Sequence, residues 1–111
     1  MLMTVSVNNL WQDDMPLQLS QTMARITDEQ AMRNFLRDVM TEKEIAEISA
    51  RLEAARMLRN GETYVAVITK TRLSSRTVAR ISQWLQSGTT GYTTALDTID
   101  SHHDHIPPAR A

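Results

Sequence analysis

Apolar side chains recur every three or four residues over much of this chain, which is the spacing of one face of an α-helix. The clearest stretch follows Thr41, and its apolar face consists of Ile45, Ile48, Leu52, Ala55 and Leu58. Thr41 and Glu44 have the spacing of a capping box, which satisfies backbone N–H groups at the start of a helix. Gly61 is placed to end the helix in a left-handed conformation. The pattern therefore predicts a helix over residues 42–59.

Two weaker periodic stretches precede this helix. Thr27 and Gln30 form a second capping-box spacing, which predicts a helix over 28–40. Its apolar positions are Met32, Phe35, Leu36 and Val39. Further upstream, Pro16 starts a stretch that allows a short first helix. The apolar positions of that stretch are Leu17, Leu19, Met23 and Ile26. Charged residues on the polar faces are spaced as i,i+4 ion pairs, namely Glu29–Arg33, Lys43–Glu47 and Glu47–Arg51.

Residues 63–71 are rich in β-branched side chains, and local propensity alone favours a strand there. The chain contains no second segment of comparable quality, and a strand without a partner is not stable. We therefore predict a helix over Thr63–Thr71. A second helix follows, with its N-cap within Leu73-Ser74-Ser75, an apolar face of Val78, Ile81 and Leu85, and its end at Gly88.

The predicted architecture is all-α, with five or six helices. A last helix is predicted over Tyr92–Ile99, and the polar tail from Ser101, which contains Pro107 and Pro108, is expected to be disordered. The length of 111 residues fits one domain. We divide the chain into an N-terminal arm with the short helix (1–27), a helical domain (28–97) with a helix-turn-helix at 63–88, and a disordered tail (98–111).

Composition excludes several classes of protein. The chain has no cysteine, which excludes a disulfide framework, a cysteine zinc site and a thiol nucleophile. It has no apolar run near 18 residues and no secretory signal, so we expect a cytoplasmic protein without a membrane partner. His102, His103 and His105 lie in the tail without a second ligand set, so we expect no metal and no cofactor. No nucleophile–base pair or phosphate loop is present, and we expect no enzyme.

Charge is unevenly divided along the chain, although the net charge is only −1. Residues 41–88 carry eight basic and five acidic residues, whereas both flanking segments are acidic. No acidic residue lies between Glu62 and Asp97, and Lys70, Arg72, Arg76 and Arg80 all fall in that window. Cations without local counter-charges tend to attract an external anion. This segment is therefore the candidate for binding nucleic acid.

The helix pair at 63–88 has the arrangement that inserts a helix into the DNA major groove. The start of its second helix carries Ser74, Ser75, Arg76 and Thr77, whose hydroxyl and backbone N–H groups suit phosphate. Arg76 and Arg80 lie four residues apart, so they repel each other unless an anion lies between them. A DNA phosphate removes that repulsion, and an arginine at a guanine edge discriminates between bases.

The chain resembles the Trp repressor superfamily, and specifically the YerC/YecD-type subgroup. The resemblance covers about residues 28–97 and is carried by Thr41–Ile45, Arg51–Tyr64, Ser74–Ile81, Gly88, Gly91-Tyr92 and Leu96-Asp97. It implies an intertwined, all-helical homodimer that binds double-stranded operator DNA as a transcription regulator. The DNA-binding residues that it implies are Lys70, Arg72, Ser74, Ser75, Arg76, Thr77 and Arg80. The large apolar faces of the 28–40 and 42–59 helices also favour a dimer.

Three positions depart from the family pattern. Arg72 stands where the turn usually has glycine, and Ile68 stands where a small residue often lets the two helices approach. The co-repressor pocket of the family is matched at Thr41, Arg51, Thr77 and Arg80. Ile81, however, replaces the glycine that leaves room for the ligand. We therefore expect that any small-molecule effector is not tryptophan, and that Arg51 pairs with Glu47 on the surface.

Two further hypotheses remain open from the sequence. The departures at Arg72 and Ile68 are compatible with a helical module that binds another protein and has lost DNA recognition. RNA binding is the weaker alternative, because no aromatic side chains alternate with the cations.

Overall fold

The structure is a computed structural model that describes the backbone of residues 7–105 and the side chains of residues 9–101. It contains a single-turn helix, α1, and six longer helices within that range. Their bounds are α1 Val7–Leu10, α2 Asp14–Arg25, α3 Glu29–Val39, α4 Glu42–Arg59, α5 Tyr64–Thr71, α6 Ser75–Ser87 and α7 Gly91–His105. No β-strand occurs in the described backbone. The all-α prediction is therefore confirmed.

The chain divides into two compact units, residues 1–42 and 43–111. In the first unit, the short helix expected after Pro16 is the three-turn helix α2, and Pro16 lies in its first turn. Proline is tolerated there because first-turn N–H groups have no helical acceptor. None of the described side chains of this unit, residues 9–42, is fully buried.

The N-cap of helix α3 lies one residue later than predicted. The N-cap is Asp28, whose Oδ2 accepts a hydrogen bond from the Ala31 backbone N–H at 2.8 Å. The prediction of Thr27 as N-cap is therefore wrong. The negative carboxylate of Asp28 suits the positive end of the helix dipole better than a hydroxyl does. The predicted Glu29–Arg33 pair is present at 3.4 Å.

The second unit has a small core of seven buried residues, three from α4 and four from α5, α6 and α7. Its buried side chains are Ala54, Ala55, Met57, Val67, Val78, Ile81 and Leu96. Of the apolar face predicted for α4, only Ala55 is fully buried, and Ile48 remains 54% exposed. Helix α4 thus buries a face centred on Ala54 and Ala55 inside this unit, whereas Ile48 stays exposed.

Helix α4 ends as the sequence predicts. Gly61 has a φ of +88°. Its N–H donates to the Leu58 carbonyl at 3.0 Å, and the Glu62 N–H donates to the Met57 carbonyl at 3.1 Å. This pair of bonds is the Schellman arrangement, which satisfies the last carbonyls of a helix and needs a left-handed residue at this position.

The last helix is longer than predicted. Helix α7 continues past Ile99 to His105, so the first part of the expected disordered tail, residues 98–105, is helical. Two features explain the difference: residues 92–106 contain no glycine or proline, and Arg59 of α4 binds Asp97 and Asp100 of α7. Residues 106–111, and the side chains of the three histidines, lie outside the described part.

Candidate nucleic-acid interface

Helix α5 forms from residues that favour strands because its start is capped and one of its side chains is buried in the core. Thr63 is the N-cap, and its Oγ1 accepts a hydrogen bond from the Ala66 N–H at 3.1 Å. Thr69 and Thr71 donate their hydroxyls to the carbonyls one turn back, at 2.8 and 2.7 Å. Val67 is fully buried in the core. Packing and capping thus outweigh the local propensity of this segment.

A three-residue turn, Arg72 to Ser74, joins α5 to α6. Arg72 is left-handed, with φ 65° and ψ 12°, and its N–H donates to the Ile68 carbonyl at 2.8 Å. A side chain in this conformation costs on the order of 1 kcal/mol relative to glycine. Ile68 packs against the core as a half-buried residue. The turn therefore forms with both departures from the family pattern in place.

The start of α6 is capped as predicted. Ser74 Oγ accepts a hydrogen bond from the Thr77 N–H at 3.1 Å and donates to Thr77 Oγ1 at 3.0 Å. Ser74 is therefore a capping residue whose hydroxyl proton is already engaged. Thr77 is half-buried beside it, whereas Ser75 and Arg76 are exposed. The free N–H groups of the first turn and the positive end of the dipole make this a favourable position for an anion.

Helix α6 divides cleanly into an inner and an outer face. Val78 and Ile81 point into the core. The exposed residues of its first three turns are Ser75, Arg76, Ala79, Arg80, Gln83 and Trp84. Arg76 and Arg80 thus share the outer face one turn apart, as the 3.6-residue period requires.

The four cations of this segment are not equivalent. Lys70 Nζ lies 3.2 Å from Glu53 Oε2 of α4. Within residues 9–101, the exposed side chains of Arg72, Arg76 and Arg80 have no carboxylate at ion-pair distance. The absence of acidic residues between Glu62 and Asp97 therefore correctly indicated three cations without a partner, but it did not reveal the Lys70–Glu53 ion pair. No sequence signal marks Glu53, because it lies 17 residues upstream on another helix.

The Glu53 carboxylate forms ion pairs with two cations, Lys70 and Arg56. Its two oxygens accept hydrogen bonds from Arg56 Nε at 2.8 Å and Arg56 Nη2 at 2.7 Å. The Arg56 hydrogen bonds are the main reason why the pKa of Glu53 is lowered to about 2, and the Lys70 ammonium lowers it further against the effect of burial. The carboxylate is therefore ionised at all physiological pH values.

The predicted surface pairs on α4 are absent. Within the described side chains, no ion pair joins Lys43 to Glu47 or Glu47 to Arg51, so both predictions are wrong. Such exposed pairs gain little energy against the entropy of two long side chains. Arg51 instead lines a cavity of about 260 Å³ with Thr77, Arg80, Ile81, Trp84 and Tyr92.

Gly88 follows the last residue of α6, as predicted, but without a left-handed conformation. Its φ is −83°, so it is not left-handed, and the left-handed residue of the connection is Thr90 at φ 70°. A Cβ at position 88 would overlap Trp84 Cε3 and would lie 2.5 Å from the Trp84 carbonyl oxygen. Close approach of the indole therefore requires glycine here.

The described residues contain neither a metal-type cluster nor a membrane-type helix. No group of three histidine, aspartate or glutamate side chains among residues 9–101 is placed to hold a metal ion. No helix in the described range is long and apolar enough to cross a membrane.

Comparison with known proteins identifies a family. The model of the Trp repressor protein family matches residues 16–100. The chain is 37% identical over 82 residues to the uncharacterized protein YerC of Bacillus subtilis, and the match covers 74% of this chain and 79% of YerC.

Solved structures agree with this match. The crystal structure of a TrpR-like protein from Eubacterium eligens superposes with a TM-score of 0.75 at 32% identity, covering 84% of this chain and 96% of that one. A crystal structure described as a candidate Trp repressor from Staphylococcus aureus gives a TM-score of 0.73 at 27% identity, covering 86% and 96% of the two chains.

Proposed function

Because this chain belongs to the Trp repressor family, which indicates a helix-turn-helix DNA-binding regulator, we propose that it is a sequence-specific transcriptional repressor. It acts as a homodimer on double-stranded DNA, with α6 in the major groove. The observation that carries this proposal is the outer face of α6, where Arg76 and Arg80 are exposed and have no carboxylate partner within the described residues. Acting on the chromosome also implies a cytoplasmic location.

The two arginines are the base-contacting candidates. They stand one turn apart on the first half of α6, which is the half that enters the groove in helix-turn-helix complexes. A guanidinium bound to both acceptors of a guanine edge contributes about 1–3 kcal/mol of discrimination. Bound DNA also relieves the repulsion between the two like charges.

Two of the remaining candidate residues, Ser75 and Arg72, are proposed to bind the DNA backbone. Ser75 is exposed at the first position of α6, where its hydroxyl and N–H suit a phosphate oxygen. Arg72 is exposed in the turn immediately before it. Ser74 and Thr77 hold the helix start through their mutual hydrogen bonds, so we assign them to positioning. Among the DNA-binding candidates, Lys70 is the least favourable for a phosphate contact, because it is paired to Glu53.

The test is DNA retardation by the variant Arg76→Ala/Arg80→Ala over a salt series. If the dimer contacts four to six phosphates, the wild-type slope of log K against log salt is about −3.5 to −5.5. We expect the double variant to lose binding and keep its helical circular dichroism. The matched control is Arg25→Ala/Lys43→Ala, which removes the same charge from exposed residues outside the helix-turn-helix. Equal losses in both double variants, or no retardation of genomic fragments by wild type at low salt, contradict the proposal.

Dimerisation is supported by what the protomer leaves uncovered. Helices α2 and α3 are amphipathic, yet no described side chain of residues 9–42 is buried. The exposed apolar residues of the two units include Trp11, Met15, Leu19, Val39 and Ile48. Surfaces of this kind are stable when a partner subunit covers them. A two-fold dimer also presents two α6 helices to half-sites about 34–36 Å apart on one side of the DNA.

Tryptophan is not expected to be the effector. Ile81, which stands where the family leaves space for that ligand, is only 3% exposed and is part of the core. The remaining cavity beside it is partly lined by Trp84 of the chain itself. Isothermal titration with L-tryptophan is expected to give no heat of binding, and saturable binding would contradict this assignment.

The alternative of a protein-interaction module rests on Arg72 and Ile68. The turn between α5 and α6 forms with both residues present, and the outer face of α6 stays basic. The geometry thus gives no reason to prefer the alternative.

A further inference from the structure

Among the residues that the structure describes, Lys70 is the one cation of the helix-turn-helix with an acidic partner. That partner, Glu53, lies on α4 and outside the acid-free window of the sequence. The contact joins Nζ of Lys70 to Oε2 of Glu53 at 3.2 Å, across 17 residues of chain. An internal carboxylate at this position changes how many cations the helix-turn-helix can offer to DNA.

The Glu53 carboxylate is already oriented to bind Lys70. Arg56 binds both oxygens of Glu53 in a bidentate arrangement, which fixes the glutamate rotamer. The Glu53 side chain is 28% exposed, whereas the Lys70 side chain is 61% exposed. The lysine is therefore accessible to a phosphate, but it must first give up a partner that is already oriented.

Removing the negative charge of Glu53 would release both of its cations, of which Lys70 lies in the helix-turn-helix and Arg56 lies on α4. The guanidinium of Arg56 also feels the negative charges of Glu62 and Asp100, which raise its pKa along with Glu53. Neither cation has a second carboxylate at ion-pair distance in the described range. The cation that such a change frees within the helix-turn-helix is therefore the Lys70 ammonium.

We propose that Glu53 is a specificity-determining residue that limits sequence-independent DNA affinity by holding Lys70 in an internal ion pair. This inference rests on the proposed DNA-binding function. Phosphate contacts by lysine supply affinity without sequence information, whereas base contacts discriminate. The internal pair of Lys70 reduces the non-specific contribution to DNA affinity. The base-contacting candidates Arg76 and Arg80 have no such carboxylate partner among the described residues. The ratio of specific to non-specific binding rises as a result.

The experiment compares wild type, Glu53→Gln, Lys70→Gln and Glu47→Gln on random-sequence duplex DNA over a salt series. For Glu53→Gln we expect the salt slope to steepen by about 0.9 per protomer, one additional phosphate each. For a dimer, this makes the gain in affinity between 200 and 50 mM salt about tenfold larger than for wild type. Lys70→Gln is expected to keep the wild-type slope, because the paired lysine contributes no phosphate contact.

Glu47→Gln is the matched control, because it removes the same charge from an exposed residue of the same helix without a described ion-pair partner. Equal steepening in Glu47→Gln and Glu53→Gln overturns the inference, since the effect is then one of net charge. A slope that falls by about one unit per protomer in Lys70→Gln also overturns it. This second variant changes a mostly exposed side chain, so it decides the matter even if Glu53→Gln fails to fold.

Failure of this inference is distinguishable from failure of the proposed function. If wild type binds the duplex but Glu53→Gln keeps the wild-type slope, only the role of Glu53 is refuted. If wild type, Glu53→Gln and Glu47→Gln all fail to retard DNA at low salt, both proposals are refuted.

Discussion

Single residues decide the geometry of the turn between α5 and α6. Arg72 holds a left-handed conformation that glycine adopts without a steric penalty, and Thr90 does the same before α7. Both residues are exposed. The backbone strain is tolerated because the Arg72 N–H still reaches the Ile68 carbonyl and the next helix is capped by Ser74.

Arg72→Gly is expected to raise the free energy of unfolding by about 0.5–1 kcal/mol, because it removes the left-handed penalty of a side chain. Thr90→Gly is the matched variant, since its φ of 70° is nearly that of Arg72 at 65°. Urea unfolding followed by circular dichroism measures both. We expect similar stabilisation in both variants and weakened DNA binding only in Arg72→Gly. A destabilised Arg72→Gly would show that the arginine side chain stabilises the turn.

Between elements, ion pairs connect helices that are far apart in sequence. Glu53 of α4 reaches Lys70 in the last turn of α5, and Arg59 at the end of α4 binds Asp97 and Asp100 of α7. The first pair joins the helix-turn-helix to α4. The second lies beside Leu96, which is fully buried, and accompanies the extension of α7 beyond its predicted end.

The pairing of Glu53 predicts a specific acid dependence. Its folded pKa of about 2 lies below the ordinary 4.5, so its contribution to stability is complete above pH 4.5 and is lost as the pH falls towards 2. Between pH 6 and pH 3, wild type is expected to lose about 1 kcal/mol more than Glu53→Gln, after allowing for solvent screening. Urea unfolding at both pH values measures this difference. Glu47→Gln, the control, should follow wild type, and identical losses in all three proteins would contradict the assignment.

For the whole molecule, the described residues of both units include exposed apolar side chains. Residues 9–42 contain no fully buried side chain, and α4 buries one face while leaving Ile48 exposed. A chain whose folded state depends on a partner has a stability that depends on its concentration.

We therefore expect the melting temperature to rise with protein concentration and the sedimentation mass to be that of a dimer. Ile48→Asp is expected to shift the mass towards the monomer, because it introduces a charge at an exposed apolar position of α4. Val65→Asp is the control, since Val65 is 73% exposed on α5 and belongs to the helix-turn-helix. A concentration-independent monomer mass for wild type would refute the dimer.

Local rules were sufficient for much of the fold. Periodicity and capping predicted α4 with its left-handed Gly61, and α6 with its N-cap within Leu73-Ser74-Ser75. These features are determined within one or two turns of the chain, where i to i+4 contacts and backbone capping decide the energy. The basic outer face of α6 follows from the same periodicity, and it is the part of the candidate site that sequence alone located. Helix α5 was predicted against its local propensity, because the chain offers no second strand to pair with it.

Tertiary structure decided the features whose partners are distant in sequence. The acid-free window suggested four free cations, but packing brings Glu53 to Lys70 and leaves three unpaired within the described residues. Packing also selected Ala54 and Ala55 as the buried face of α4, and the Trp84 indole as the reason for Gly88. The sequence of α4 determines that it is a helix. Because α4 carries apolar residues on more than one side, only the neighbouring helices determine which side is buried.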